Sequence, residues 1–541
     1  MKFEMTDSML LSPSGSGWVR GRAAGRPERI IDDGARRPLT PTLSPRGRGR
    51  TIGIAIVAAL VTLLALPWNA HAKDTAVLGM SLEPPGLDPT AGAAAAISEI
   101  THYNIFEGLT KVNGDGSVTP LLAGSWTISG DYKTYTFKLR QGVKFQDGEP
   151  FTSEEVKFSF ERATAEGSTN KDKAMFANMA SVEAPDPATV VVTLKSPYPD
   201  LLFHLGLSPA VIVDRKSAAG NAQHPVGTGP FVLESWSKGA SVTLAKWPGY
   251  RAPESIKLSK VTFRFISDPA AQVAALLAGD LDAFPRFGSY PSVAQLKADP
   301  RFTVTVGQTE GKTIVSINNK KKPFDDVRVR RALAFAIDRK AVIDGAMNGF
   351  GTPIGSHYTA LDPDYIDLTG TYSYDPEKAK ALLEEAGVTT PLEVSLKLPP
   401  PAYARQGGEI VAAELAKVGI VAKIENVEWP AWLDGVFKNK NFDLTIISHV
   451  EPHDLAIYAN PDYYFQYDSP AFREIMKRVD STLDPQQRKE ALEAAQRQLA
   501  TDAVNVFLFQ LPNITVANKD LKGLWRDSAT PANDMAAVYW R

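Results

Sequence analysis

The chain has 541 residues, 44% of them apolar and 22% charged, and contains no cysteine. It is too long for one compact core and has the composition of a globular protein of two or three domains. The missing cysteine excludes disulfides, thiolate metal sites, thiol nucleophiles and the lipid-modified cysteine of a lipoprotein. An oxidising compartment is thereby permitted without being required.

Residues 1–50 are rich in Arg, Gly, Ser and Pro and lack apolar periodicity, a composition that does not build a core. After Arg46, Arg48 and Arg50 comes TIGIAIVAALVTLLAL, sixteen residues without a charge, then PWNAHAKD. A basic flank, a short apolar run and small residues at Ala70 and Ala72 predict a secretory signal peptide cleaved after Ala72. The expected mature chain starts at Lys73 and is periplasmic; the alternative, an uncleaved anchor, calls for a longer run. The first 72 residues hold ten of the 59 Lys/Arg and five of the 61 Asp/Glu, so the remainder carries 49 against 56, a net of −7. Such an acidic chain lacks the basic surface that neutralises phosphate backbones, which argues against nucleic-acid binding.

The rest alternates strands and helices without a repeat. YTFKLR (135–140) reads as a half-buried strand and TVVVTL (189–194) as a β-branched one. HPVGTGPFVLESWSKG (224–239) places Gly227, Gly229 and Pro230 before an aromatic strand, which predicts a turn of unusual backbone torsion anchored by Phe231 and Trp236. In SDPAAQVAALLAGDLDAF, Asp268 and Pro269 start a helix and Gly279 ends it. GQTEGKT (307–313) is one residue short of a phosphate-cradling P-loop, and its strand-like flanks predict a hairpin turning at Gly311. DDVRVRRALAFAIDRKAVIDG sets Val329, Ala332, Leu333, Ala336 and Ile337 on one helix face. YDPEKAKALLEEAG repeats the Asp-Pro start with Asp375 and ends at Gly387, its apolar stripe being Ala379, Leu382, Leu383 and Ala386. FDLTIIS (442–448) is a strand apolar on both faces. Two helices near 469–481 and 484–502 precede the strand VNVFLF. The class is α/β with several sheets.

Taken together, SLEPPGLDPT (81–90), YNIFEGL (103–109), the block 120–163, VGTGPFVLESWSKGASVTLAKWPGYR, the block 317–345 and YSYDPEKAKALLEEAG (372–387) resemble, in order, family 5 extracellular solute-binding proteins of ABC transporters. The resemblance implies a two-lobed periplasmic-binding-protein clamp with an additional domain inserted in the first lobe. The corresponding division is 1–72 leader, 73–110 first lobe, 111–225 inserted domain, 226–316 first lobe again, 317–507 second lobe and 508–541 return to the first. It also implies capture of a small solute, a short peptide or related amine-bearing compound, by a monomer that needs no cofactor. Delivery would be to an inner-membrane permease and its ATPase subunits. A nickel or metallophore binder of the same fold is the alternative. An exported hydrolase finds no support, since the chain has neither a G-x-S-x-G elbow nor a zincin helix.

Open α/β sheets hold ligands at the carboxyl ends of their strands, which directs attention to SHVEPHDLAIYANPDYYF. There Glu451, His453, Asp454 and Tyr458 follow the 442–448 strand. In peptide-binding relatives an aspartate of this segment meets the ligand's α-amino group, so Asp454 or Glu451 is the expected anchor. The pair His449 and His453 could ligate a metal on a helix, but Pro452 opposes one. Trp429 and Trp432 offer aromatic faces, or core packing. Tyr403 and Arg405 complete the expected wall, the guanidinium suiting a ligand carboxylate.

Overall fold

The computed structural model describes residues 73–92 and 94–541; the leader expected over 1–72 lies outside them. One sheet of eleven strands runs through the described body. From one edge its order is Ile420–Asn426, Leu392–Leu398, Leu444–His449, Phe302–Ile317, Asn505–Asn518, Ala283–Phe284, Thr75–Met80, Lys260–Phe265, Ser241–Lys246 and Phe231–Ser237. The short Thr352–Pro353 also pairs with Asn505–Asn518.

Two strands of this sheet are far longer than the rest. Phe302–Ile317 and Asn505–Asn518 lie antiparallel along their whole length. Residues 302–308 pair with 512–518 beside the strand Ala283–Phe284, whereas 312–316 pair with 505–510 and, on the other edge, 312–317 pair with Leu444–His449. The ribbon thus joins two lobes, each with its own core. One core gathers Leu78, Phe231, Val261 and Phe263, the other Val315, Leu333, Leu396 and Ile446.

The register slips between Gln308 and Lys312, where three residues face Leu511 alone. This overturns the hairpin expected at Gly311. The chain does not reverse there: the apolar flanks on either side belong to one strand with an irregularity in it. Glycine fits because a Cβ at 311 would stand 2.9 Å from the Cβ of Leu511.

The other predicted elements hold with local corrections. Helix Pro269–Ala278 has Asp268 accepting from the Ala271 amide and Gly279 in the left-handed region. Helices Pro376–Glu385, Pro470–Ser481 and Pro485–Thr501 fall where their caps place them. The helix expected over 325–345 is two, Val327–Ala336 and Arg339–Met347, because Asp326 and Asp338 each cap a new start. Gly227 and Gly229 are needed for room, not torsion: neither has a positive φ, but a Cβ would lie 2.0 Å from the Ile105 carbonyl oxygen and 2.5 Å from that of Asn104. Phe231 and Trp236 do anchor the strand that follows, the indole donating to Glu83 at 3.0 Å.

A separate four-stranded antiparallel sheet, Ala123–Ile128, Thr134–Leu139, Thr189–Leu194 and Met179–Asp186, is covered by helix Ser153–Thr164. A full capping box starts that helix, with Thr152 and Glu155 satisfying each other's backbone amides. The sheet has its own core of Tyr135, Phe137, Val156, Phe160 and Val192, as expected of a module added to a lobe. Short helix Leu201–His204 carries the chain from it back toward the ribbon. Among the described residues, no helix is long and apolar enough to cross a membrane.

Candidate functional site

Strand Leu444–His449 ends beside the irregular stretch of the ribbon, Lys312 facing His449 across the ladder. Two cavities open around this point. The larger, ≈ 300 Å³, is lined by Glu99, Arg286, Tyr290, Glu310, Val450 and Leu511 among others. The smaller, ≈ 70 Å³, is bounded by Ser98, Lys171, Ser208, Glu451 and Pro452. Ala95, Val450, Thr530 and Pro531 line both, so the two share a wall. Residues of both lobes contribute, and the floor is the ribbon itself.

Beneath the floor lies a buried charge network. Lys312 is fully buried; its ammonium stands 3.0 Å from Asp454 Oδ1 and donates to the Glu451 carbonyl oxygen. Burial alone would pull the Lys312 ammonium down, yet Asp454, Asp362 and Glu310 together hold it above its ordinary value. Asp454 is held well below the usual carboxylate range: burial opposes its charge, but His357 and Lys312 outweigh that. His357 Nε2 lies 3.2 Å from Asp454 Oδ2, and its Nδ1 accepts from the Tyr458 hydroxyl at 2.9 Å. The Asn505 amide in turn donates to Tyr458. Burial lowers His357, so the ring is neutral with its proton on Nε2, and a chain of donors runs Asn505, Tyr458, His357, Asp454.

Burial, followed by His357, likewise drops His449 to about 3. Ligand atoms of His357, His449 and Asp454 lie within 4.8 Å of one another, a spacing a metal ion accepts. Lys312 already supplies positive charge at that spot, which disfavours a dication there. The pair His449 and His453 is not assembled. His453, at φ +55°, stacks on Phe203 at 4.4 Å between ring centroids, 3.7 Å from both Asp200 and Asp362. Arg488 pairs with Asp200 at 2.7 Å, so this group fastens the Leu201–His204 turn to the opposite lobe.

The expected wall residues divide. Glu451 is exposed on the smaller cavity, and among the described residues no basic side chain comes within 4.0 Å of its carboxylate. Tyr458 is buried within the network. Trp432 is buried among aromatics and donates to Thr445 at 3.0 Å, while Trp429 remains 39% exposed on the same short helix, Trp429–Trp432. Arg405 pairs with Glu428 at 2.9 Å, and the Tyr403 hydroxyl accepts from the Ser448 amide at 3.3 Å. Neither Tyr403 nor Arg405 lines the two cavities.

Sequence reasoning missed Lys312, Glu310, His357, Asp362, Asp200 and Arg488. For Glu310 and Lys312 a signal existed: charges at alternate positions inside an otherwise uncharged strand demand a buried purpose. The others are brought in from segments far apart in sequence, His357, Asp362 and Asp200 on loops and Arg488 in the first turns of helix Pro485–Thr501, and no local pattern marks them.

Residues 117–470 match the family described as bacterial extracellular solute-binding proteins, family 5. The glutathione-binding protein GsiB of Shigella dysenteriae serotype 1 is 33% identical over 388 residues, covering 70% of this chain and 73% of its own. Among solved structures, the periplasmic binding protein AgaA in complex with agropinic acid from A. tumefaciens R10 superimposes with a TM-score of 0.74 at 26% identity, over 86% of this chain and 99% of that one. DppA from Helicobacter pylori in complex with the peptide STSA does so with a TM-score of 0.75 at 25% identity, over 87% and 98%. With two lobes joined by a paired ribbon, a cleft at the junction and these relatives, the chain belongs to the bacterial extracellular solute-binding proteins, family 5.

Proposed function

We propose that this chain is the periplasmic substrate-binding component of an ABC importer, and that it closes over a short peptide or related amine-bearing solute at the lobe junction. The relative named for glutathione, itself a γ-linked tripeptide, and the neighbour solved with a peptide favour that solute class. The observation that carries the amine part is the carboxylate of Glu451, exposed on a cavity wall without a basic partner among the described residues. Asp454, the other expected anchor, is already neutralised by Lys312 and accepts from the His357 ring. An exposed rim charge acts mainly on the encounter rate. Glu451→Gln therefore slows association in a salt-dependent way.

Binding needs no catalysis: closure over the solute creates the form the permease reads. The division into 73–110, 226–316 and 508–541 against 317–507, with 111–225 inserted, is part of this proposal. It is supported by the two long strands that change neighbours midway. Export by a leader cut after Ala72 and action as a monomer beside the permease and ATPase are also part of the proposal. Native mass spectrometry of the exported protein tests the reading, through the mass of its amino terminus and of any retained solute. A solute at about a hundred times its dissociation constant adds roughly 2.7 kcal/mol of stability. Melting shifts across peptide, sugar and metal libraries should therefore cluster in one class. Turnover of peptide substrates, or a shift with nickel alone, would count against the proposal.

A further inference from the structure

Glu310 sits in the irregular stretch of the ribbon, 4% exposed, and lines the larger cavity. Among the described residues it has no ion-pair partner within 4.0 Å, and its only side-chain hydrogen-bond partner is Thr359. The Thr359 hydroxyl lies 3.2 Å from Glu310 Oε2 and 3.3 Å from Asp362 Oδ2. One hydroxyl can donate to only one of the two carboxyls. Burial raises the Asp362 carboxyl too, but His453 beside it and the Thr359 amide, donating at 2.7 Å, oppose that rise, whereas Glu310 has no amide donor. The nearest protein cation, Lys312, is committed to Asp454. Across the cavity, Arg286 is committed to Glu99 at 3.0 Å. The groups around Glu310 are therefore Lys312 on its own strand, Asp362 with His453 beside it, Asp454 beyond, and the closed Glu99–Arg286 pair opposite.

From this we propose that Glu310 is the seat of the solute's cation, a primary ammonium entering the larger cavity and displacing the carboxyl's proton to solvent. The proposal rests on the reading of the chain as a binder of amine-bearing solutes, and it assigns the buried anchor that Glu451 at the rim cannot be. One cation enters and one proton leaves, so the net charge of the floor is unchanged on binding. Burial, then Asp362, raises Glu310 to about 8, so the empty site holds that proton at pH 7. The remaining walls, Tyr290, Val450, Leu511 and Pro531, are suited to the apolar part of the solute.

Calorimetry at pH 7 in phosphate and in HEPES, neither of which carries a primary ammonium, counts the proton, because the two buffers differ in ionisation enthalpy. The probes are glutathione, Ser-Thr-Ser-Ala, and the analogue of each that lacks the α-amino group. The wild type should bind at least one parent with release of close to one proton, and bind its des-amino analogue roughly thirtyfold more weakly without release. Glu310→Gln keeps the shape and the donor of the protonated acid, so it folds, and it should lose both the preference and the proton. Glu310→Asp should retain the proton release with reduced affinity. A wild type that prefers the amine, with Glu310→Gln behaving identically, overturns Glu310 as the seat but leaves the amine-bearing reading standing. A wild type that takes parent and des-amino probes equally, or none of the four at millimolar concentration, overturns the proposal.

Discussion

Replacing Asp454 with Asn should destabilise the solute-free protein, even though the sequence places this residue where a solute would be met. The substitution withdraws the carboxylate charge from 3.0 Å away and leaves a fully buried Lys312 ammonium with only neutral oxygen partners, the Glu451 carbonyl and the one amide oxygen of the new side chain. That single oxygen cannot serve both Lys312 and His357, so one of the two faces an NH2 donor instead of an acceptor. Breaking a buried ion pair from one side costs about 3–5 kcal/mol. Unfolding entropy is about 2.1 cal/mol/K per residue, so a cooperative body of roughly 470 residues has about 1 kcal/mol/K, and the melting temperature should fall by about 3–5 °C. Calorimetric melting of the solute-free protein reads this directly. Lys312→Met combined with Asp454→Asn removes both charges and should recover most of the loss, giving a coupling energy from the cycle. An Asp454→Asn protein that melts like the wild type but binds its solute a hundredfold more weakly would refute the reasoning. It would return Asp454 to the role of ligand anchor.

Three further outcomes follow from the same geometry. The folded-state pKa of Glu310, raised to about 8, means the folded protein keeps a proton that the unfolded chain gives up near the ordinary glutamate value. Stability from this group is therefore full below about pH 4.5 and lost as pH rises toward 8. The difference in melting temperature between Glu310→Gln and wild type should accordingly grow in the variant's favour from pH 5 to pH 8, and a flat difference would contradict the burial argument. Trp432→Ala should cost about 3–5 kcal/mol in a denaturant titration, as a core truncation does, because the indole is 4% exposed and hydrogen-bonded to Thr445. Arg488→Ala removes the 2.7 Å partner of Asp200 and should favour the open form. Small-angle scattering should show a larger radius without solute, and affinity should fall about fivefold, the equivalent of ~1 kcal/mol.

Most of the elements were legible because their signals are local. Asp-Pro starts and Gly ends fixed the helices at 269–278 and 376–385, and β-branching fixed the strand at 189–194. The hairpin expected at Gly311 failed for a different reason. Nothing within a few residues distinguishes a turn from an irregularity that a distant partner strand tolerates, and the partner here is 200 residues downstream. The site was legible by neighbourhood, since the end of the 444–449 strand does reach the cleft. The roles within it were not: which carboxylate is already partnered depends on the Lys312 ammonium and the His357 ring, whose approach to Asp454 is a product of the fold. Arg405 and Tyr403 show the converse, plausible chemistry that a neighbouring Glu428 and a backbone amide absorb.

The two long strands cross the junction as one hydrogen-bonded ribbon whose register slips at residues 309–311 opposite Leu511 and again between Thr313 and Ile314. Such a ribbon is comparable to a leaf spring whose softest stretch is the short run that holds both slips, and a rotation of one lobe against the other would bend it there. Glu310 lies in that stretch. The residue that would sense the solute's charge is therefore also where the spring flexes, so electrostatics at one carboxyl and the angle between the lobes share a single mechanical coordinate. For sensor engineering, a pair of fluorophores placed on any two rigid spots of opposite lobes would report the same event, with signal size set by their distance from the pivot.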